Sequence, residues 1–180
     1  FNAPTGVAMH PVSHLIFVCD HGNHCVQVFS EDGTFQYQFG SHGSAAGQLS
    51  SPWHLAIDID KEEIFVAEQF NHRVSVFSIA AAPAAARGTF LRSFGFGSRG
   101  SELDWPRGIA FHSLTSEIIV ADYGNHRLQV FDRQGTFLRS FGRAGDNQFD
   151  SPFGVCVHGV AGHIAVADLV NYRVHILPRV

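Results

Sequence analysis

Three observations predict an all-β fold, a β-propeller of four-stranded antiparallel blades. First, one motif recurs four times, as VCDHGNHCVQVF (residues 18–29), VAEQFNHRVSVF (66–77), VADYGNHRLQVF (120–131) and VADLVNYRVHIL (166–177). Second, the copies lie 48, 54 and 46 residues apart, each 19 residues from an upstream proline (Pro4, Pro52, Pro106, Pro152) to its own asparagine. Third, short runs rich in β-branched and aromatic residues alternate with turn residues, and no stretch of about 11 residues carries a helical stripe. A small sheet cannot bury both of its faces, so each must be sandwiched between its siblings.

Each unit reads in the same order. A first strand such as TGVAM follows the proline, and a second, EIIVAD, ends on an acid. An Asn-His turn leads into a third strand, RLQVF, and a Gly turn into a fourth, TFLRSF. The fourth strand recurs within GTFQYQFG (33–40) and in GTFLRSFG at 88–95 and 135–142. Only the second unit is lengthened, by the Ala-rich AAAPAAARG (80–88), where Pro83 argues for a loop. The glycine-rich FGFGSRG (94–100) reads as a flexible connector. The blades are expected at about 1–45, 46–99, 100–146 and 147–180, giving fifteen strands, with the last blade lacking its outer one.

Composition narrows the function classes. Apolar residues make up 45% of the chain and charged ones 16%, which suits a packed domain. A net charge of −4 offers no footprint for nucleic acid. No apolar run reaches the ~20 residues of a membrane-spanning helix. The chain opens at Phe1 without a basic-then-apolar leader, so a piece of a longer protein is expected. The compartment stays open, with an intracellular one expected. Three cysteines without a C-x-x-C argue against a disulfide framework or zinc ribbon. Cys19 and Cys156 fall in slots held elsewhere by alanine and are expected to be small inward residues.

The wider pattern P-x-G-I-A … V-A-D-x-x-N-H-R-V-x-V-F … G-x-F-x-x-x-F-G resembles the NHL-repeat family and covers nearly the whole chain. The triplet stands as Asn23-His24-Cys25, Asn71-His72-Arg73, Asn125-His126-Arg127 and Asn171-Tyr172-Arg173. The resemblance implies a propeller that usually has six blades, of which these four repeats form an open arc. A closed four-bladed ring is the alternative.

Side chains used in every blade are expected to build the blade. Asp20, Asp122 and Asp168, with Glu68, end the second strands, and their carboxylates should accept amides of the turn that follows. Asn23, Asn71, Asn125 and Asn171 should tolerate left-handed backbone there. Arg73, Arg127 and Arg173, five residues past the acid, should pair with an acid of their own or an adjacent blade. Blade one has Cys25 instead and should lack that pair.

Purpose is then sought where blades differ. The residue after each proline and those after each acid open on one face, which carries Trp53, Phe153, Tyr123, Arg107 and Phe70. Exposed aromatics with an arginine suit a protein or peptide interface, though the rings could instead plug the axial channel. The function expected is a non-catalytic protein-binding scaffold without a cofactor, and an open arc should either self-associate through its terminal blade faces or need flanking blades. A metal-dependent lyase or hydrolase is the enzyme alternative. The peptide-amidating lyases that resemble this fold place zinc histidines directly after the blade proline, where this chain has Thr5, Trp53, Arg107 and Phe153. His54 stands one position late. His10, His112 and His158, with Asp58 in the second blade, share one aligned position but would be spread around a ring, too far apart for one metal. The RNA-binding branch of the family uses a basic face, and here that face offers Arg107 with Arg99 and Arg143 nearby. Nucleic acid is therefore not the expected partner.

Overall fold

A computed structural model describes residues 1–80, 87–96, 101–142, 148–159 and 161–178. Most of the Ala-rich insert and the end of the glycine-rich connector, like Arg99 and Arg143, lie outside the described residues.

Among the described residues fifteen strands form four antiparallel sheets. Blade one holds β1 (Pro4–Met9), β2 (Ile16–Asp20), β3 (Cys25–Phe29) and β4 (Phe35–Phe39). Blade two holds β5 (Pro52–Asp58), β6 (Glu63–Glu68), β7 (Arg73–Ser78) and β8 (Thr89–Phe94). Blade three holds β9 (Pro106–His112), β10 (Glu117–Asp122), β11 (Arg127–Asp132) and β12 (Phe137–Phe141). Blade four has three strands, β13 (Pro152–Val157), β14 (Ile164–Asp168) and β15 (Arg173–Leu177). Each sheet is a meander of consecutive strands, the order expected when short turns join neighbours.

The first strands are innermost: β1 lies against β5, β5 against β9, and β9 against β13. Glycine permits that approach. A Cβ on Gly108 would stand 2.6 Å from the Phe153 carbonyl oxygen of the next blade, and one on Gly6 would stand 2.6 Å from the His54 Cα.

Apolar residues from facing blades form three cores. Phe17, Val26 and Val28 of blade one meet Leu55, Ile64, Val66 and Phe77 of blade two. Phe65, Val74 and Val76 of blade two meet Ile109, Ile118, Val120 and Phe131 of blade three. Ile119, Leu128 and Val130 of blade three meet Val155, Ile164, Val166 and Leu177 of blade four. Phenylalanines staple the blades together, with Phe39 on Phe77 at 4.8 Å and Phe94 on Phe131 at 4.9 Å between ring centres.

The arc is open. Strands β1 and β13 make no contact comparable to those between neighbouring blades. Val7 is 60% exposed, whereas its counterparts Leu55, Ile109 and Val155 are 2, 1 and 7% exposed. Val174 and Ile176 of blade four are 66 and 65% exposed, whereas Val74 and Val76 are fully buried. The two terminal blades thus each show solvent the face that their siblings bury. This also corrects the expectation for Cys156. It aligns with the buried Ala56 and Ala110 but lies on the open face and is exposed, while Cys19 is buried.

Candidate functional site

The repeated acid is a clamp. Asp20, Glu68 and Asp122 are fully buried and Asp168 is 1% exposed. A buried carboxylate needs several donors, and each acid has them. Asp122 accepts from Arg127 Nε at 2.7 Å, Asn125 Nδ2 at 3.0 Å, Gln129 Nε2 at 2.7 Å and the Asp104 amide at 2.6 Å. Glu68 accepts from Arg73 Nε and Asn71 Nδ2 at 2.6 Å each, Ser75 Oγ at 2.5 Å and the Ser50 amide at 2.8 Å. Asp168 accepts from Arg173 Nε at 3.1 Å, Asn171 Nδ2 at 2.9 Å and the Asp150 amide at 2.7 Å, with His175 Nε2 at 2.9 Å. Asp20, facing Cys25 rather than an arginine, is held by Gln27 Nε2 at 2.5 Å, Asn23 Nδ2 at 2.8 Å and the Asn2 amide at 2.7 Å. Burial alone would raise the pKa of Asp20 and Asp168, but these hydrogen bonds outweigh it and leave both below the ordinary value.

Two details differ from the sequence reading. The carboxylate binds an amide in the loop entering its own blade, because the first strand runs alongside the acid, with Pro106 opposite Asp122. The left-handed residue is not the asparagine but the one after it: His24, His72, His126 and Tyr172 have φ of 56, 51, 54 and 52°. The asparagine amide is spent on the acid instead. The histidines then reach the next blade. His24 Nδ1 accepts from the Ser51 amide at 3.0 Å. His126 Nδ1 lies 3.1 Å from the Ser151 amide and 3.0 Å from Asp150 Oδ1.

The other aligned histidines close turns. His10 Nδ1 accepts from the Ser13 amide at 3.1 Å, His112 Nδ1 from Thr115 at 3.3 Å and His158 Nδ1 from Ala161 at 3.0 Å. In blade two Asp58 Oδ1 does the same for the Asp60 amide at 3.1 Å. Imidazole and carboxylate interchange here because both are acceptors at the same reach. Among the described residues no cluster of three or more His, Cys, Asp or Glu could hold a metal ion. His54 Nδ1 lies 3.2 Å from the Ile109 carbonyl oxygen of the neighbouring blade, to which it donates when protonated.

The variable face converges on one cation. Every first strand has a register break just after its proline. Such bulges re-aim a side chain, and the break carries Thr5, Trp53, Arg107 and Phe153. The Arg107 guanidinium carbon stands 4.1 Å from the Tyr123 ring centre, 4.3 Å from that of Trp53 and 4.8 Å from that of Phe153. Phe153 meets Trp53 at 5.7 Å and Tyr123 at 6.4 Å, edge to face in both cases. His21, at the position equivalent to Tyr123, stands edge-on to Trp53 at 5.1 Å. Arg107, Trp53, Tyr123 and Phe153 are all half-buried. Burial lowers the Arg107 pKa, with Tyr123 opposing the shift. Arg107 Nε is buried without a hydrogen-bond partner. Phe70 is not part of this group. It is 53% exposed and packs edge-on to Trp105 at 6.2 Å, because it stands two residues past its acid whereas Tyr123 stands one.

The family model for the NHL repeat matches residues 1–29 and 103–131. The chain is 32% identical over 143 residues to Protein brain tumor of Drosophila melanogaster, covering 79% of this chain and 12% of that protein. It is 33% identical over 142 residues to the B-box type zinc finger protein ncl-1 of Caenorhabditis elegans, covering 78% of this chain and 15% of that protein. The chain therefore spans only a small part of these relatives. Among solved structures it superposes on a chain of the Nidogen/Laminin complex with a TM-score of 0.73 at 18% identity, covering 99% of this chain and 61% of that one. Streptogramin B lyase gives 0.70 at 13% identity, with coverage of 96% and 50%. At such identities the likeness is one of fold alone, and a fold does not decide chemistry. With its repeats matched in sequence and its blades matched in space, the chain belongs to the NHL-repeat β-propellers.

Proposed function

We propose that this propeller segment is a non-catalytic protein-binding module whose variable face, centred on Arg107, engages a peptide segment of a partner. The observation that carries this reading is the grouping of Trp53, Tyr123 and Phe153 around one arginine that has no acid partner among the described residues. Arginine and large aromatics are the side chains that dominate binding energy at protein interfaces. The repeated acids are occupied by their clamps and the aligned histidines by their turns.

A peptide-display selection on the purified protein tests the proposal. The selected peptides should lose affinity by roughly ten- to a hundredfold when Trp53 or Tyr123 is changed to alanine, the loss typical of an interface anchor. Peptides that bind both variants as well as the parent protein would place the interface elsewhere and overturn it.

A further inference from the structure

Arg107 also limits what the partner can present, an inference that rests on the protein-binding reading. Its guanidinium is a flat fork of five donors. Three rings lie within 4.8 Å of the guanidinium carbon and occupy the space about it. Nε is buried and unpartnered, so a ligand cannot use the side of the fork that includes it. The two Nη amines have no hydrogen bond among the described residues and are not buried, so they remain as donors. An approaching acceptor must therefore come end-on, near the guanidinium plane, and take the parallel Nη donors. A carboxylate does this with two coplanar oxygens and no bulk above or below.

Among the described residues no acid is paired with Arg107. Asp20, Glu68, Asp122 and Asp168 are buried in their clamps, and Glu63, Glu117 and Asp58 are paired with Arg92, Arg139 and Arg133. A nucleic-acid backbone suits the site less well, since it gains affinity from many cations at once. This chain holds 12 Lys and Arg against 16 Asp and Glu, and its one lysine, Lys61, lies in the turn between β5 and β6, away from the proline end of the blade.

We infer that the variable face receives a carboxylate of a peptide, held end-on by the Nη amines of Arg107, with the adjoining peptide side chain laid on Trp53 and Phe153. The carboxylate belongs either to an Asp or Glu side chain or to a chain terminus.

The test takes the strongest peptide from a display selection and remakes it in two altered forms, one C-terminally amidated and one with Asn and Gln replacing Asp and Glu. One of these changes should weaken binding to the parent protein by roughly ten- to a hundredfold, and which one does so identifies the carboxylate. The same change should cost nothing further on Arg107→Met, which keeps an unbranched stem among the rings, and Arg107→Lys should recover part of the loss. Equal binding of all forms, or an undiminished loss on Arg107→Met, would overturn the carboxylate while leaving the protein-binding reading intact, provided Trp53→Ala still weakens binding as expected above. Selection of no peptide, together with salt-sensitive binding of a single-stranded oligoribonucleotide, would overturn both.

Discussion

Arg127 Nε donates to Asp122 Oδ2 across 2.7 Å, with both side chains at least 96% buried. Breaking a buried pair leaves an uncompensated charge, so Asp122→Ala should cost about 3–5 kcal/mol. Arg173→Ala in the last blade breaks the same motif, but there the arginine side chain is 46% exposed and the cost should be about 1 kcal/mol or less. Urea unfolding of the two variants measures the difference.

Acid should weaken the clamps of blades one and four. The pKa values of Asp20 and Asp168 are depressed in the folded chain, so their contribution is complete above the unfolded value of about 3.9. It fades as pH falls from there through the folded values. In thermal melts between pH 6 and 3 the fall in stability below about pH 4 should be less steep in Asp20→Asn than in the parent protein, because that group no longer titrates.

The open faces make cysteine a reporter. Cys156 is exposed, whereas Cys19 and Cys25 are buried, and burial raises the pKa of both buried thiols. A thiol reagent should label one residue per native chain and three after unfolding, as counted by mass spectrometry. If chains dock through this face, as an open arc favours, Cys156 labelling should slow with increasing protein concentration.

Equivalent substitutions should differ between blades. Val74→Asp buries an unpaired carboxylate and should abolish folding, whereas Val174→Asp places it in solvent and should shift stability by less than about 1 kcal/mol. A Cβ at Gly108 would meet a backbone carbonyl at 2.6 Å, so Gly108→Ala should cost about 1–3 kcal/mol, read as a lowered Tm.

The propeller was legible because a blade is built from local signals. The alternation in VADYGNHRLQVF, the fixed spacing from Pro106 to Asn125 and the fourfold recurrence each reflect one short meander. The acid–arginine pair was legible too, since a tight turn puts residues five apart opposite each other, as Asp122 is to Arg127. The fourth clamp partner was overlooked: Gln27, Ser75, Gln129 and His175 are always polar within an apolar run, a signal that was present in the sequence. The left-handed histidine was hidden because asparagine is the residue that usually adopts that backbone. At the candidate site the positions after each proline were readable, but the gathering of their rings on Arg107 depends on the bulge and on the neighbouring blades. Phe70 illustrates the limit. One residue of offset in a turn sends a ring to Trp105 rather than to the centre.

Among the described residues, β15 ends its sheet with one edge unpaired. Such an edge is a row of free amides and carbonyls, the template on which foreign strands add and fibrils grow. Val174 and Ile176 give that strand an apolar flank that is about two-thirds exposed. The colloidal behaviour of this segment therefore depends in part on this corner, and whatever shields β15 acts as a guard against aggregation there.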